Sequence, residues 1–248
     1  VLPADTALQH GMTQKATDRA VFYLCLARAF LPPQEPAAYD AIKLHLADDL
    51  GELAAALNYP AADHLGNLRQ AVAKVSDHLT LLQAYSQLFL APPVPVTLNA
   101  GRYLDGAVMG RATVAIEKCY RDAGLDRAGS FHDLPDHVSL QLEFVAYLCA
   151  SEATGSTLAV NADDFLASFV HYWLPPFVTA LERAGAQEAP ARIYLCLARL
   201  LQVAVDHDLR DYRPAHGKWR APRGEQAGQV LAPFPAAKAD PRRALARR

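Results

Sequence analysis

Two short segments carry the residue types and spacings that could bind or react. In LLQAYSQLFLAPP, residues 81–93, Tyr85, Leu88 and Phe89 stand at i, i+3 and i+4. That spacing puts all three on one face of a helix. Such a stripe is ordinary core packing, or, at a helix end followed by a Pro-rich loop, one wall of a groove for an apolar peptide. The second segment is FHDLPDHVSLQLEFVAYL, residues 131–148. Pro135 suits the first turn of a helix, where its missing N–H costs nothing. Asp136 would then lie in that turn, where the helix dipole favours a carboxylate, and His137 would follow at the surface.

Asp136 and His137 admit two sharper readings. In one, Asp136 is an exposed anion for an arginine guanidinium and His137 its hydrogen-bonding neighbour. In the other, His132-Asp133 and Asp136-His137 bind metal in an all-α phosphohydrolase, with His78, Asp206 and His207 as distant ligands. No helical His-x-x-x-His or Glu-x-x-His spacing supports the metal reading. A glycine-rich phosphate loop and a GxSxG elbow are also missing. Trp173 and Tyr172, just before Pro175-Pro176, read as core residues.

The elements that must position these residues are helices. Apolar residues recur every three to four positions, and alternating strand patterns are scarce. The pattern predicts helices over 16–31, with Val21, Leu24, Cys25 and Ala29 among its apolar positions, and over 36–57. A third stretch, 61–90, reads as one helix or two. Residues 91–107 are a loop with three prolines, two glycines and Tyr103. Helices follow over 108–123, 135–153, 161–184 and 189–208. Asn161 is a candidate cap, and Pro175-Pro176 should kink or split its helix. The hexapeptide YLCLAR occurs at 23–28 and 194–199, but its flanks differ, so it reads as coincidence between two core helices. The expected organisation is a flexible N-terminus (1–15), one all-α domain (16–211) and a basic disordered tail (212–248).

Charge is distributed unevenly. Residues 1–209 hold 14 Lys and Arg against 23 Asp and Glu, whereas residues 210–248 hold 10 against 3. An acidic body suits a cationic partner, and nothing in the totals suggests nucleic acid. Cys25, Cys119, Cys149 and Cys196 form no CxxC pair and sit in apolar runs, so neither disulfides nor zinc are expected. VLPADTALQHGM holds no apolar run long enough for a secretory leader or membrane span, so a cytoplasmic location is expected.

The segments also occur in an order that resembles a known family, the TorD/DmsD/NarJ redox-enzyme maturation chaperones. AYSQLF and a proline-rich stretch come first, then RYLDGAVMGRATVAIEKCYRDAGL, LPDHVSLQLEF, DDFLASFVHYWLPPF and ARIYLCLARLL. The resemblance covers residues 16–208. It implies a compact all-helical domain and a chaperone, not an enzyme. Such a chaperone binds the N-terminal, often twin-arginine, signal peptide of a molybdopterin oxidoreductase catalytic subunit. It holds the apoenzyme until cofactor insertion, before export or assembly. The molybdenum-cofactor insertion machinery is a second candidate partner, and no cofactor of the chain's own is implied. The peptide-binding set falls on Tyr85, Leu88, Phe89, Tyr103, Pro135, Asp136 and His137. Two positions depart from the family pattern: Ala84 stands where many members have an acid, and Gly101-Arg102-Tyr103 where many have Ser-x-Tyr. The chain is expected to be a monomer, or a dimer that swaps elements across residues 91–107.

Overall fold

The long first helix, α1 (Ala4–Ala29), lies along a central helix, α8 (Val138–Ala153). The computed structural model describes residues 4–126, 133–185 and 190–212, with side chains from residue 11 onward. Among these, every regular element is helical, and the one β feature is an isolated bridge between Asn99 and His137. α8 is apolar on nearly every side because it is enclosed: Leu142, Phe144, Val145, Leu148 and Cys149 are all buried. α1 begins well before the expected residue 16. Its inward stripe is Phe22, Tyr23, Leu26, Ala27 and Phe30. Of the apolar positions read from the sequence, Ala29 is buried, Leu24 and Cys25 are half-buried and Val21 faces solvent. The apolar run is wider than one face of the helix, so some of its members stay at the surface. Pro32-Pro33 follow its end.

The remaining helices surround this pair. The stretch expected over 36–57 contains α2 (Pro36–Asp40), a wide π-helical turn (Ala41–His45) and α3 (Leu46–Ala56). Residues 61–90 form two helices, α4 (Ala62–Ala73) and α5 (His78–Phe89). Asp77 caps α5, accepting from Thr80 N at 2.8 Å. Lys43 closes α4 by donating to the carbonyls of Val72, Ala73 and Val75 at 2.7–3.1 Å. The loop after α5 contains a short helix, α6 (Gly101–Leu104), and leads into α7 (Arg111–Asp122).

Asn161 caps α9 (Ala162–Phe165) as expected, accepting from Asp164 N at 2.7 Å. A π-helical turn (Leu166–Val170) joins α9 to α10 (His171–Arg183), which runs through Pro175 and Pro176 without splitting. Trp173 is buried as expected, but Tyr172 faces solvent. α11 (Arg192–Asp208) packs on α4 and α10. All four cysteines are free, and burial pushes the Cys119 and Cys149 thiols up to about 12. The basic stretch expected over 212–248 lies outside the described residues, apart from Tyr212.

Candidate functional site

The two motifs meet through the chain between them. From Val96 to Gly101 the backbone is bonded to α5 at one end and to the start of α8 at the other. Val96 N donates to Leu88 O at 3.1 Å. Val138 N donates to Leu98 O at 2.8 Å, and Ala100 N to Asp136 O at 3.0 Å. This antiparallel bridge holds His137 extended (φ −60°, ψ 137°), so α8 starts at Val138 and not at Pro135. His137 is therefore the N-cap, its Nδ1 accepting from Ser139 N at 3.1 Å.

Asp136 is buried, with 1% of its surface exposed. Its Oδ2 accepts from Gly101 N at 2.7 Å and from Thr113 Oγ1 at 3.1 Å. Its Oδ1 lies 3.5 Å from Asn99 Nδ2, which also donates to Asp133 at 2.9 Å. The exposed anion expected from the sequence is thus a keystone beneath the loop, tying α6 and α7 to the start of α8. A helix beginning at Pro135 would put the carboxylate in its first turn, but the bridge takes up the Asp136 backbone first. Gly101 is required by close approach: a Cβ there would lie 2.8 Å from Asp136 Oδ2 and 2.9 Å from Thr113 Oγ1.

A chain of side chains extends the joint into the core. Gln141 donates to Asp136 O at 2.7 Å and accepts from Trp173 Nε1 at 3.0 Å. Tyr120 donates to Pro135 O at 3.0 Å. Gln141 and Thr113 were not singled out in the sequence. A polar residue inside an apolar helix-like run is the signal that could have found Gln141. Burial lowers the His137 pKa below its usual 6.5, with Asp133 and Asp136 opposing the shift.

The aromatic stripe is equally enclosed. Tyr85, Leu88 and Phe89 are 2%, 4% and 6% exposed. Tyr85 and Phe89 pack against Tyr194 of α11, with ring centroids 5.6 and 5.2 Å away. Tyr85 donates to Phe30 O at 3.3 Å. Pro135 is buried. Tyr103 is half-buried, donates to Thr97 O at 2.9 Å and packs edge-on to Phe177; burial pushes its phenol up to about 12. The seven residues therefore frame one joint, and the apolar side chains that reach solvent at the end of α5 are Leu90 and Val94.

The residues nominated as metal ligands are not gathered. His78 Nε2 lies 2.6 Å from Pro33 O, His207 packs edge-on to Tyr59, and Asp206 is exposed. Among the described residues no group of three or more His, Cys, Asp or Glu could hold a metal ion. His132 lies outside the described residues.

Sequence reading missed a second buried polar centre. Asp208 accepts from Arg19 Nε at 3.1 Å, from Tyr23 at 2.8 Å and from Tyr59 at 2.8 Å. Arg19 also reaches Asp163 at 2.6 Å. The cluster clamps α1, α9 and α11 together. Its members are spread from residue 19 to 208, so no local motif announces it.

Fold and joint together define a class: an all-α protein whose two motifs are locked across a loop. A family model described as the nitrate reductase delta subunit matches residues 45–179, which contain all seven joint residues. The chain belongs to this family, that of the TorD/DmsD/NarJ redox-enzyme maturation chaperones. It is 29% identical over 99 residues to the chaperone protein TorD of Escherichia coli O81 (strain ED1a), a stretch covering 38% of this chain. That match spans about half, 46%, of the curated relative. A solved structure from Archaeoglobus fulgidus, described as a redox enzyme maturation protein, is 22% identical. It covers 77% of this chain and 93% of its own, with a TM-score of 0.47. Among the described residues no helix is long and apolar enough to cross a membrane.

Proposed function

We propose that the protein is a cytoplasmic chaperone for the N-terminal, twin-arginine-type signal peptide of a molybdopterin oxidoreductase catalytic subunit. It would hold that subunit for cofactor insertion before export or assembly, without catalysing a reaction. The observation that carries this reading is the joint itself. Two motifs about fifty residues apart are bonded to one connecting segment, inside the region matched by the family model.

The peptide docks along that joint, between the end of α5 and the start of α8. Leu90 and Val94 meet its apolar stretch. Tyr85, Leu88, Phe89 and Tyr103 form the wall behind them. Asp136, His137 and Pro135 hold the loop in register, and the acidic body draws in the arginines. Burying two or three large apolar side chains of the peptide contributes about 1.5–3 kcal/mol each before ordering costs. A charge-assisted bond to an arginine adds roughly 1.5–3 kcal/mol. The apolar part therefore dominates affinity, and charge sets orientation.

Calorimetry with a synthetic twin-arginine signal peptide tests this. Micromolar or tighter binding is expected, weakened at least tenfold in Leu90→Asp and in Val94→Asp with helicity unchanged. Replacing both peptide arginines by glutamine should weaken binding as well. Unaltered affinity in both protein variants would sink the assignment to this joint.

A further inference from the structure

The turn from α6 into α7, together with the first turn of α7, holds three large apolar side chains in water. Val108, Met109 and Val114 are 63%, 53% and 52% exposed. The corner is built to hold them there. Asp105 turns its carboxylate inward, accepting from Ala107 N at 3.2 Å and Ala112 N at 2.8 Å. The backbone passes so close at Gly110 that a Cβ would lie 2.5 Å from Asp105 Oδ2. Met109 adopts φ of 57°, a left-handed conformation uncommon for a residue with a side chain. Isolated exposed apolar residues are ordinary, but three on one braced corner mark a contact surface.

The exposed charges at this corner are both arginines; its one acid, Asp105, is half-buried and bonded to backbone N–H groups. Arg102 donates to Gly106 O at 3.1 Å, which lays its guanidinium on the corner's backbone. Arg111 is exposed at the first position of α7, where a cation opposes the helix dipole and so adds nothing to helix stability. Further along α7, Glu117 pairs with Arg121 and Lys118 with Asp122.

We infer that this corner is a second docking surface, for a protein segment that presents large apolar side chains flanked by carboxylates. The apolar side chains supply contact area, and the two guanidiniums fix orientation through forked bonds to the acids. The same rim repels an arginine-bearing signal peptide, so the surface is separate from the joint and stands independently of the function proposed there.

The full-length protein is titrated with a fluorescein-labelled peptide in which Leu and Phe alternate with Asp and Glu, and with a twin carrying Lys at every acid. Anisotropy should show the acidic peptide binding at least tenfold more tightly. Amide shifts should concentrate in residues 101–114. Met109→Ser should weaken binding at least fivefold, and Arg111→Glu should weaken it similarly while narrowing the gap between the twins. Signal-peptide affinity should stay unchanged in both variants. Equal affinity for the twins, or shifts confined to other surfaces, overturns the inference. So does concentration-dependent self-association lost in Met109→Ser, which would assign the corner to a second copy of the chain.

Discussion

The Asp136 carboxylate accepts the backbone N–H of Gly101 at 2.7 Å, across 35 residues of chain. The same oxygen accepts the Thr113 hydroxyl, so one buried acid joins α6, α7 and the start of α8. The contact depends on glycine, because a Cβ at 101 would overlap both partners.

Removing the keystone should be costly. Asp136→Ala leaves the Gly101 N–H and the Thr113 hydroxyl buried without this acceptor, at about 1–3 kcal/mol for each group left unpaired. Asp136→Asn keeps an acceptor oxygen and should lose less. Gly101→Ala should cost about 1–3 kcal/mol through overlap. Urea denaturation measures all three, and an Asp136→Ala midpoint equal to the wild type would remove the keystone role.

The histidine cap should make stability depend on pH. Burial holds the folded-state pKa of His137 below 6.5, so the unfolded chain binds this proton more readily. Its stability contribution is complete above about pH 6.5 and is lost as pH falls from there toward the folded value. Protonating Nδ1 also removes the acceptor for Ser139 N. His137→Asn keeps a capping oxygen and does not titrate. Between pH 7 and 5 its urea midpoint should fall less steeply than the wild type's. His64 and His207, whose pKa values burial also lowers, leave a residual slope in both proteins. Parallel curves would show that this proton is not linked to folding.

The two YLCLAR copies should answer differently to the same change. Tyr23 donates to Asp208, whereas the buried Tyr194 hydroxyl has no hydrogen-bond partner among the described residues. Tyr23→Phe should destabilise by about 1–3 kcal/mol, because its partner is a carboxylate. Tyr194→Phe removes an unpaired polar atom and should be neutral or stabilising. Thermal unfolding distinguishes the pair, and equal losses would mean that Tyr194 has a partner in solution.

The clamp between the first and last helices predicts a graded series. Asp208→Ala leaves the nearly buried Arg19 with Asp163 alone and removes the acceptor of Tyr23 and Tyr59, and should cost about 3–5 kcal/mol. Asp163 is 39% exposed, so Asp163→Ala should cost about 1 kcal/mol or less. Similar losses in calorimetric unfolding would show that Arg19 depends on both carboxylates equally.

The sequence by itself determined the helical class, the Asn161 cap and the two motifs that frame the joint, and left open whether residues 61–90 form one helix or two. These are local properties: apolar period, proline position and capping chemistry act within a few residues. Only the tertiary structure decided which side of each motif faces protein. The i, i+3, i+4 spacing of Tyr85, Leu88 and Phe89 puts them on one face, but Tyr194, about a hundred residues on, covers that face. Pro135-Asp136-His137 resembles a helix start, but α8 begins at Val138 because Leu98 and Ala100 take the backbone of 136 and 138 into a bridge. Asp208 gathers Arg19, Tyr23 and Tyr59 from distant segments. Burial and partner choice depend on contacts between residues far apart in the chain, which local spacing does not encode.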